Sequence, residues 1–143
     1  AEKAMALGLD AVQLHGRVEE LDWAKFLPGV FVIRVFHMTP DEEKNASTLH
    51  DALRPGYHHI ILLDTATQGG QDGGSGVSFN WSHVSNIPVP FLIAGGVTPD
   101  NVQEALTQSL AAGVDTSSGV ETEGQKDTAK ITAYVENARR VLS

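Results

Sequence analysis

The residue best placed for acid–base chemistry is Asp64, which stands at the end of the most apolar run of the sequence, residues 60–64. If that run is a buried parallel strand, its carboxyl end lies where α/β proteins bind their ligands. A carboxyl group in that region is a candidate general acid, because it can give a proton to a bound molecule within hydrogen-bond reach. Aspartate also ends many strands simply as a loop or helix cap, and the pattern alone leaves both interpretations open.

Two short segments of small residues could bind a phosphate group. The small residues that directly follow the last two apolar runs are Gly95, Gly96, Ser117, Ser118 and Gly119. Small residues directly after a strand let backbone N–H groups approach a phosphate closely, and a helix N-terminus adds favourable partial charge. Each segment alone is typical of an ordinary tight turn. Their occurrence after two successive predicted strands resembles the phosphate site that follows the last two strands of a (β/α)8 barrel.

The most glycine-rich segment, residues 68–76, also follows a predicted strand. It lacks both the Gly-Lys-Ser/Thr ending of a P-loop and the GxGxxG pattern of a dinucleotide site. We interpret it either as a surface loop or as a lid that contacts an anion.

The six histidines do not form a metal-binding pattern. None shows HExxH or a comparable ligand spacing, and we predict no metal site. His15 and His37 each end a predicted strand and could touch a ligand. Arg34 lies inside an apolar run, where a buried guanidinium needs a partner, so we expect it to pair with an acid or to face a binding site.

One repeated pattern must position all of these residues: a short apolar run followed by a longer stretch with helix signals. Near-continuous aliphatic and β-branched runs are typical of parallel strands that are buried on both faces. The five predicted strands are residues 11–15, 31–36, 60–64, 91–94 and 113–116. The predicted helices are residues 1–7, 18–27, 39–53, 98–110 and 127–142, and residues 80–83 could hold one short helix more. This alternation predicts an α/β fold with a parallel sheet, in a single domain over residues 1–143.

Composition narrows the possible functions. The chain has 143 residues, with 10 Lys+Arg against 18 Asp+Glu, a formal charge of −8 and no cysteine. The missing cysteine excludes a disulfide framework, a thiolate zinc site and a cysteine nucleophile within these residues. Net negative charge argues against a nucleic-acid or anionic-membrane partner, and no apolar run approaches the roughly 20 residues of a membrane span.

Seven motifs, in order and at consistent spacing, carry a resemblance to a known family. They are residues 13–16, 63–65, 73–76, 79–81, 94–102, 113–121 and 124–127. Together they resemble phosphoribosylanthranilate isomerase of tryptophan biosynthesis over essentially the whole chain. The resemblance implies a cytoplasmic TIM-barrel enzyme that converts N-(5-phosphoribosyl)anthranilate into the aminodeoxyribulose phosphate without a cofactor. In this Amadori rearrangement a general acid protonates the furanose ring oxygen, and a general base then removes the C2 proton.

The resemblance also implies roles for particular side chains. Asp64 matches the general acid of the family. The phosphate would be bound by Gly95, Gly96, Ser117, Ser118 and Gly119. The residues implied to line the substrate are Gln13, His15, Arg34, Gly74, Ser75 and Gly76. Two positions differ from the family's usual residues, since Arg34 stands where lysine is common and Asn80 where aspartate is more usual.

The chain departs from the family pattern in what it lacks. The family's general base is a cysteine at the end of the first barrel strand, and the barrel needs eight strands where five are predicted here. We therefore expect the chain to correspond to strands 4–8, with the first three βα units absent, and to be inactive alone. An unclosed sheet leaves edges exposed, so the expected protein partner is the missing N-terminal part or a second copy.

Two other functions fit the same residues. A catalytically dead phosphosugar-binding module would keep the glycine-rich segments, and a sister barrel such as indoleglycerol-phosphate synthase would share the phosphate site. Arg34 is the only lysine or arginine within the predicted strands. This disfavours the synthase, whose chemistry depends on a lysine.

Overall fold

The structure, a computed structural model, describes residues 2–15, 28–38, 60–64 and 80–142. Its main feature within these ranges is a five-stranded parallel sheet. The strands are β1 (Ala11–Leu14), β2 (Phe31–His37), β3 (Ile60–Asp64), β4 (Phe91–Ala94) and β5 (Gly113–Val114). All five predicted strands are confirmed, and they lie in the order β1-β2-β3-β4-β5, so that each strand pairs with its neighbours in the sequence.

Helices accompany the sheet in the described part of the chain. The α-helices are α1 (Glu2–Ala6), α2 (Val102–Ser109) and α3 (Thr128–Leu142), and the 3-10 helices are Trp81–Val84 and Ser118–Val120. The short helix predicted over residues 80–83 is thus confirmed as a 3-10 helix. The helices predicted over residues 18–27 and 39–53 lie outside the described residues, as does the glycine-rich segment 68–76.

The helix predicted from residue 98 begins four residues later, at Val102. Asn101 explains the difference, because its Oδ1 accepts a hydrogen bond from the Thr98 N–H (2.8 Å) and its Nδ2 donates to the Gly96 carbonyl (3.0 Å). These bonds fold the chain into a turn before the helix. The Thr-Pro pair at residues 98–99 therefore belongs to that turn and does not start the helix.

A hairpin that was not predicted follows the 3-10 helix Ser118–Val120. It consists of β6 (Glu121–Thr122) and β7 (Gln125–Lys126), which pair antiparallel. The two turn residues, Glu123 and Gly124, have φ values of +52° and +74°. Positive φ at both central positions matches the twist of the flanking strands and permits a two-residue connection.

The two faces of the sheet bury different partners. Ile61 and Leu63 point to one face, where they join α2 and α3 in the largest hydrophobic core. Leu62 points to the other face and packs against Val35. Because successive side chains of a strand alternate between the faces, Asp64 lies on the Leu62 face.

The sheet curls strongly around the Leu62 face. A flat sheet would hold β1 and β5, which are four strand spacings apart, about 19 Å from each other. Instead, Gln13 Nε2 in β1 donates a hydrogen bond to the Oδ2 of Asp115, directly after β5, over 3.4 Å. The Leu62 face is therefore concave, and we call it the concave face. Since β1 and β5 do not pair with each other in the described ranges, the sheet is an open arc.

Candidate active site

Asp64, the predicted acid, ends β3 on the concave face beside His37 of β2. The two residues are partners in the strand register, and His37 Nδ1 lies 3.3 Å from Asp64 Oδ2. The Met38 N–H donates to the Asp64 carbonyl over 2.9 Å, which holds the backbone at the strand end. The side chains of Asp64 and His37 are 20% and 45% exposed. Both groups can therefore exchange protons with a bound molecule or with solvent.

A line of polar side chains continues from this pair toward β1 and the end of β5. The rings of His37 and His15 have centroids 5.9 Å apart, and His15 Nε2 lies 2.6 Å from Gln13 Oε1. Gln13 donates in turn to Asp115. The structure thus brings Gln13 and His15, two predicted substrate-lining residues, to the same end of the sheet as Asp64.

Arg34 does not join this group, contrary to the expectation that it lines the substrate. It pairs in register with Ile61, so strand alternation places it on the helix-covered face, opposite to Asp64. Its guanidinium donates to the Leu14 carbonyl over 3.1 Å and lies 5.3 Å from the centre of the Phe36 ring. Burial lowers the pKa of Arg34 below its ordinary value. In this position Arg34 links β1 to β2.

The first predicted phosphate-binding segment forms a tight turn directly after β4. Gly95 and Gly96 have φ values of +84° and +66°, in the left-handed region that favours glycine. Asp64 pairs with Ala94 in the strand register. The predicted acid and the first predicted phosphate-binding segment are therefore neighbours at the carboxyl end of the sheet.

The second predicted phosphate-binding segment packs against the first. Thr116 Oγ1 donates to the Val97 carbonyl over 2.7 Å. A Cβ atom on Gly119 would lie 2.0 Å from that carbonyl oxygen, so only glycine fits there. Ser117 and Ser118 are exposed next to this contact. The two segments form one continuous surface beyond β4 and β5.

Two features of this region were not predicted from the sequence. The first is the contact of His37 with Asp64, which depends on the pairing of β2 with β3. The second is Lys126 of β7, whose Nζ donates to the carbonyl and the hydroxyl oxygen of Ser117 over 2.9 Å and 3.0 Å. Gly124, in the turn before Lys126, was the available sequence signal for the hairpin.

The described residues limit what the site can do. No group of three or more His, Asp or Glu side chains among them could hold a metal ion. None of the helices in these described ranges has the length and apolar character that a membrane span requires. The predicted substrate-lining residues Gly74, Ser75 and Gly76 lie outside the described ranges. What the geometry offers is a carboxyl–imidazole pair that can transfer a proton, beside a surface of small residues that can bind an anion.

Comparisons with known proteins identify a family with this arrangement. The family model for N-(5'phosphoribosyl)anthranilate (PRA) isomerase matches residues 1–137. The multifunctional tryptophan biosynthesis protein of Schizosaccharomyces pombe is 43% identical over 129 residues, which are 90% of this chain and 15% of that protein. The N-(5'-phosphoribosyl)anthranilate isomerase of Eremothecium gossypii is 41% identical over 143 residues, covering 94% of this chain and 64% of that protein. The chain thus spans less than two thirds of either relative.

A solved structure gives the same result. Phosphoribosyl anthranilate isomerase in complex with reduced 1-(o-carboxyphenylamino)-1-deoxyribulose 5-phosphate matches with a TM-score of 0.69 and 27% identity, over 97% of this chain and 64% of that chain. The matched isomerases are (β/α)8 barrels, and the comparisons favour this family over the synthase considered above. The chain belongs to the N-(5'-phosphoribosyl)anthranilate isomerase family, and its sheet is an arc of five successive parallel strands of the (β/α)8 barrel fold.

Proposed function

We propose that the protein containing this chain is a phosphoribosylanthranilate isomerase of tryptophan biosynthesis, in which this chain supplies the general acid and the phosphate site. The observation that carries the proposal is that Asp64 pairs with Ala94, directly before Gly95. An acid next to an anion site suits a phosphorylated sugar whose ring opens on protonation. The deoxyribulose phosphate ligand of the solved isomerase supports the same substrate class.

The step assigned to Asp64 is the opening of the furanose ring. Its carboxyl group gives a proton to the ring oxygen while the bond from C1 to that oxygen breaks, and the anilino nitrogen lone pair forms a C1–N double bond. A base then takes the proton from C2, the electrons of that C–H bond form the C1–C2 double bond of an enolamine, and the π electrons of the C1–N double bond return to nitrogen. The enolamine tautomerises to the ketone. These steps move protons and electron pairs within one molecule and need no external oxidant or reductant, so the proposal names no cofactor.

The remaining residues are assigned to binding. The phosphate site comprises Gly95, Gly96, Ser117, Ser118 and Gly119, whose small side chains leave backbone N–H groups accessible. Gln13 and His15 are assigned to the polar groups of the sugar, because they lie between Asp64 and Asp115 on the concave face. For Gly74, Ser75 and Gly76 the assignment to the substrate rests on the resemblance alone.

We assign the general base to a part of the barrel outside this chain. None of the 143 residues is a cysteine, and the chain covers 64% of the isomerase of E. gossypii. Two apolar surfaces support a partner that completes the barrel. One is a stripe of exposed side chains on α3, formed by Ile131, Val135 and Leu142. The other consists of exposed apolar side chains on α1, just before β1 and at the start of β2: Met5, Leu7, Leu9 and Phe31. We propose that the first three βα units of the barrel cover them; a second copy of the chain is the other candidate.

Isomerase assays on the chain alone and on the chain mixed with the unmatched segment of the E. gossypii isomerase test this function. We expect no turnover by the chain alone and turnover by the mixture. In the mixture, Asp64→Asn should lower kcat by at least about a hundredfold, the usual contribution of a general acid. The matched control is Asp10→Asn, which changes an exposed aspartate just before β1, at the opposite end of the sheet.

Each arm of this experiment can contradict a separate part of the proposal. Turnover by the chain alone would show that the base lies within these residues. Undiminished activity of the Asp64→Asn mixture would remove Asp64 from the mechanism. A loss of activity in Asp10→Asn equal to that in Asp64→Asn would show that the assay reports folding and not chemistry.

A phosphosugar-binding module without catalysis is the second candidate, favoured by the absence of cysteine from the chain. It predicts binding of ribose 5-phosphate and no turnover in either sample. For the isomerase, we propose a cytoplasmic location as part of amino-acid biosynthesis, which fractionation of cells with an antibody to the chain would test.

A further inference from the structure

We propose that Lys126 is a positioning residue of the phosphate site, which acts by directing the hydroxyl proton of Ser117 toward the bound anion. The inference rests on the proposed function, because it takes the surface around Ser117 to be the phosphate site. Lys126 Nζ reaches three acceptors: the Ser117 carbonyl at 2.9 Å, Ser117 Oγ at 3.0 Å and the carboxylate of Glu121. An ammonium group has three donors, so all of them are used.

The contact with Ser117 Oγ determines what that hydroxyl can do. A serine hydroxyl has one proton to donate and two lone pairs that accept, whereas an ammonium group can only donate. In the contact with Lys126 the Ser117 oxygen must therefore be the acceptor, and its own proton points elsewhere. Ser117 is exposed, and no acceptor for this proton is found among the described residues. The proton is thus available to a phosphate oxygen.

The hairpin β6–β7 holds Lys126 in the place that this role requires. Lys126 pairs in register with Glu121, so its side chain and the carboxylate lie side by side. The Asp127 N–H donates to the Val120 carbonyl over 2.9 Å, which closes the end of the hairpin. Although the Lys126 side chain is 52% exposed, it is therefore fixed by its three acceptors and by the backbone on either side.

The positive charge of Lys126 offers an alternative explanation, direct attraction of a phosphate. The Glu121 carboxylate contacts the ammonium group and offsets that charge, so the pair exerts only a weak field at a distance. We therefore expect Lys126 to act through Ser117. Lys130 provides a matched comparison, because it carries the same charge and contacts the Glu121 carbonyl instead of Ser117.

A double-mutant cycle tests the inference through binding of inorganic phosphate and of ribose 5-phosphate, measured by calorimetry on the chain and on the reconstituted mixture. Lys126→Met and Ser117→Ala should each weaken binding about fivefold, the equivalent of one net hydrogen bond. The double variant should bind about as weakly as Ser117→Ala alone, because both changes remove the same interaction. Lys126→Arg keeps the donors and the charge, so it should bind both ligands more tightly than Lys126→Met. Lys130→Met should weaken the binding of either ligand by less than about twofold.

Several results would overturn the positioning role. Additive losses in the double variant would show that Lys126 acts by its charge, independently of Ser117. Equal losses in Lys126→Met and Lys130→Met would show the same. If melting curves reveal that Lys126→Met does not fold, Lys126→Gln, which also removes the ammonium group, takes its place in the cycle with Ser117→Ala, and additive losses there have the same meaning.

The two levels of the proposal fail in different ways. If the unchanged chain and the mixture bind neither ligand, the phosphate site of the proposed function is wrong, and this inference is wrong with it. If they bind phosphate and Lys126→Met binds it equally well, only the role of Lys126 is wrong.

Discussion

Replacing Gly119 by alanine should separate the two proposed phosphate-binding segments and destabilise the chain. The added Cβ atom would lie 2.0 Å from the Val97 carbonyl oxygen, 3.0 Å from the Val97 carbonyl carbon and 2.6 Å from Thr116 Oγ1. Two of these atoms belong to the backbone and cannot rotate away, so one segment must shift. The shift would also break the 2.7 Å hydrogen bond from Thr116 to Val97.

The magnitude follows from these two effects. Overpacking of a well-packed site costs about 1–3 kcal/mol. A lost hydrogen bond adds about 1 kcal/mol. We therefore expect Gly119→Ala to lower the free energy of unfolding by about 2–4 kcal/mol. Phosphate binding should weaken as well, because the segments that form the proposed site no longer lie together.

Urea unfolding followed by circular dichroism measures the loss of stability, and calorimetric titration with phosphate measures the loss of binding. Gly124→Ala is the matched control, because Gly124 has a φ of +74° but a Cβ atom there would meet nothing within 4 Å. It should cost only the roughly 1–2 kcal/mol of a left-handed residue that is not glycine. Gly119 would not join the two segments if Gly119→Ala is as stable as the unchanged chain, or loses less stability than Gly124→Ala.

Three further substitutions test other parts of the structure. Leu110→Gly should raise the free energy of unfolding by about 1 kcal/mol, since Leu110 ends α2 with a φ of +60° and is 70% exposed; a lower melting temperature would contradict this. Tyr134→Phe should leave the free energy of unfolding in urea unchanged or raise it by up to about 1 kcal/mol. The reason is that the buried Tyr134 hydroxyl has no hydrogen-bond partner among the described residues. A clear loss of stability would reveal such a partner. Hydrogen bonds, first of all that from Thr122, lower the pKa of Asp127 below its ordinary 3.8. The stabilisation that comes from this lowered pKa is fully present above about pH 3.8, and it is lost as the pH falls through the lower pKa that Asp127 has in the folded chain. Between about pH 6 and pH 2 the melting temperature should therefore fall further for the unchanged chain than for Asp127→Asn, and equal falls would contradict this.

The strands could be predicted because their signal is local. The runs 60–64 and 91–94 are nearly continuous in aliphatic side chains, and both are strands with those bounds. Such runs are stable only when both faces are covered. Leu62 and Leu63, which point to opposite faces, are accordingly at most 1% exposed.

The face on which a side chain lies could not be predicted in the same way. A shift of one residue in the strand register moves every side chain to the opposite face, and the sequence does not state the register. This is why Arg34 was expected beside the substrate but lies with Ile61 on the helix-covered face. The approach of His37 to Asp64 depends on the same register, so the sequence could place each at a strand end but not join them.

The two proposed phosphate-binding segments were visible in the sequence as small residues after strands, but the contacts that join them were not. The bond from Thr116 to Val97 connects two segments that follow different strands. Lys126 reaches Ser117 because of a hairpin whose strands have only two residues each. Strands of that length are too short for alternation of apolar and polar residues to reveal them.

The order of the strands has a consequence for how the chain is made. Each strand pairs with the one before it, so the sheet can grow at its free edge as the polypeptide leaves the ribosome. The strand added last is β5, and Ser117 and Lys126 emerge only after it. A phosphate ester that binds at the proposed site would stabilise chains that have passed Gly119 more than shorter ones, and chains that also contain β7 most strongly. The proposed substrate would in this way distinguish a nascent chain from one that has gained its whole arc of strands.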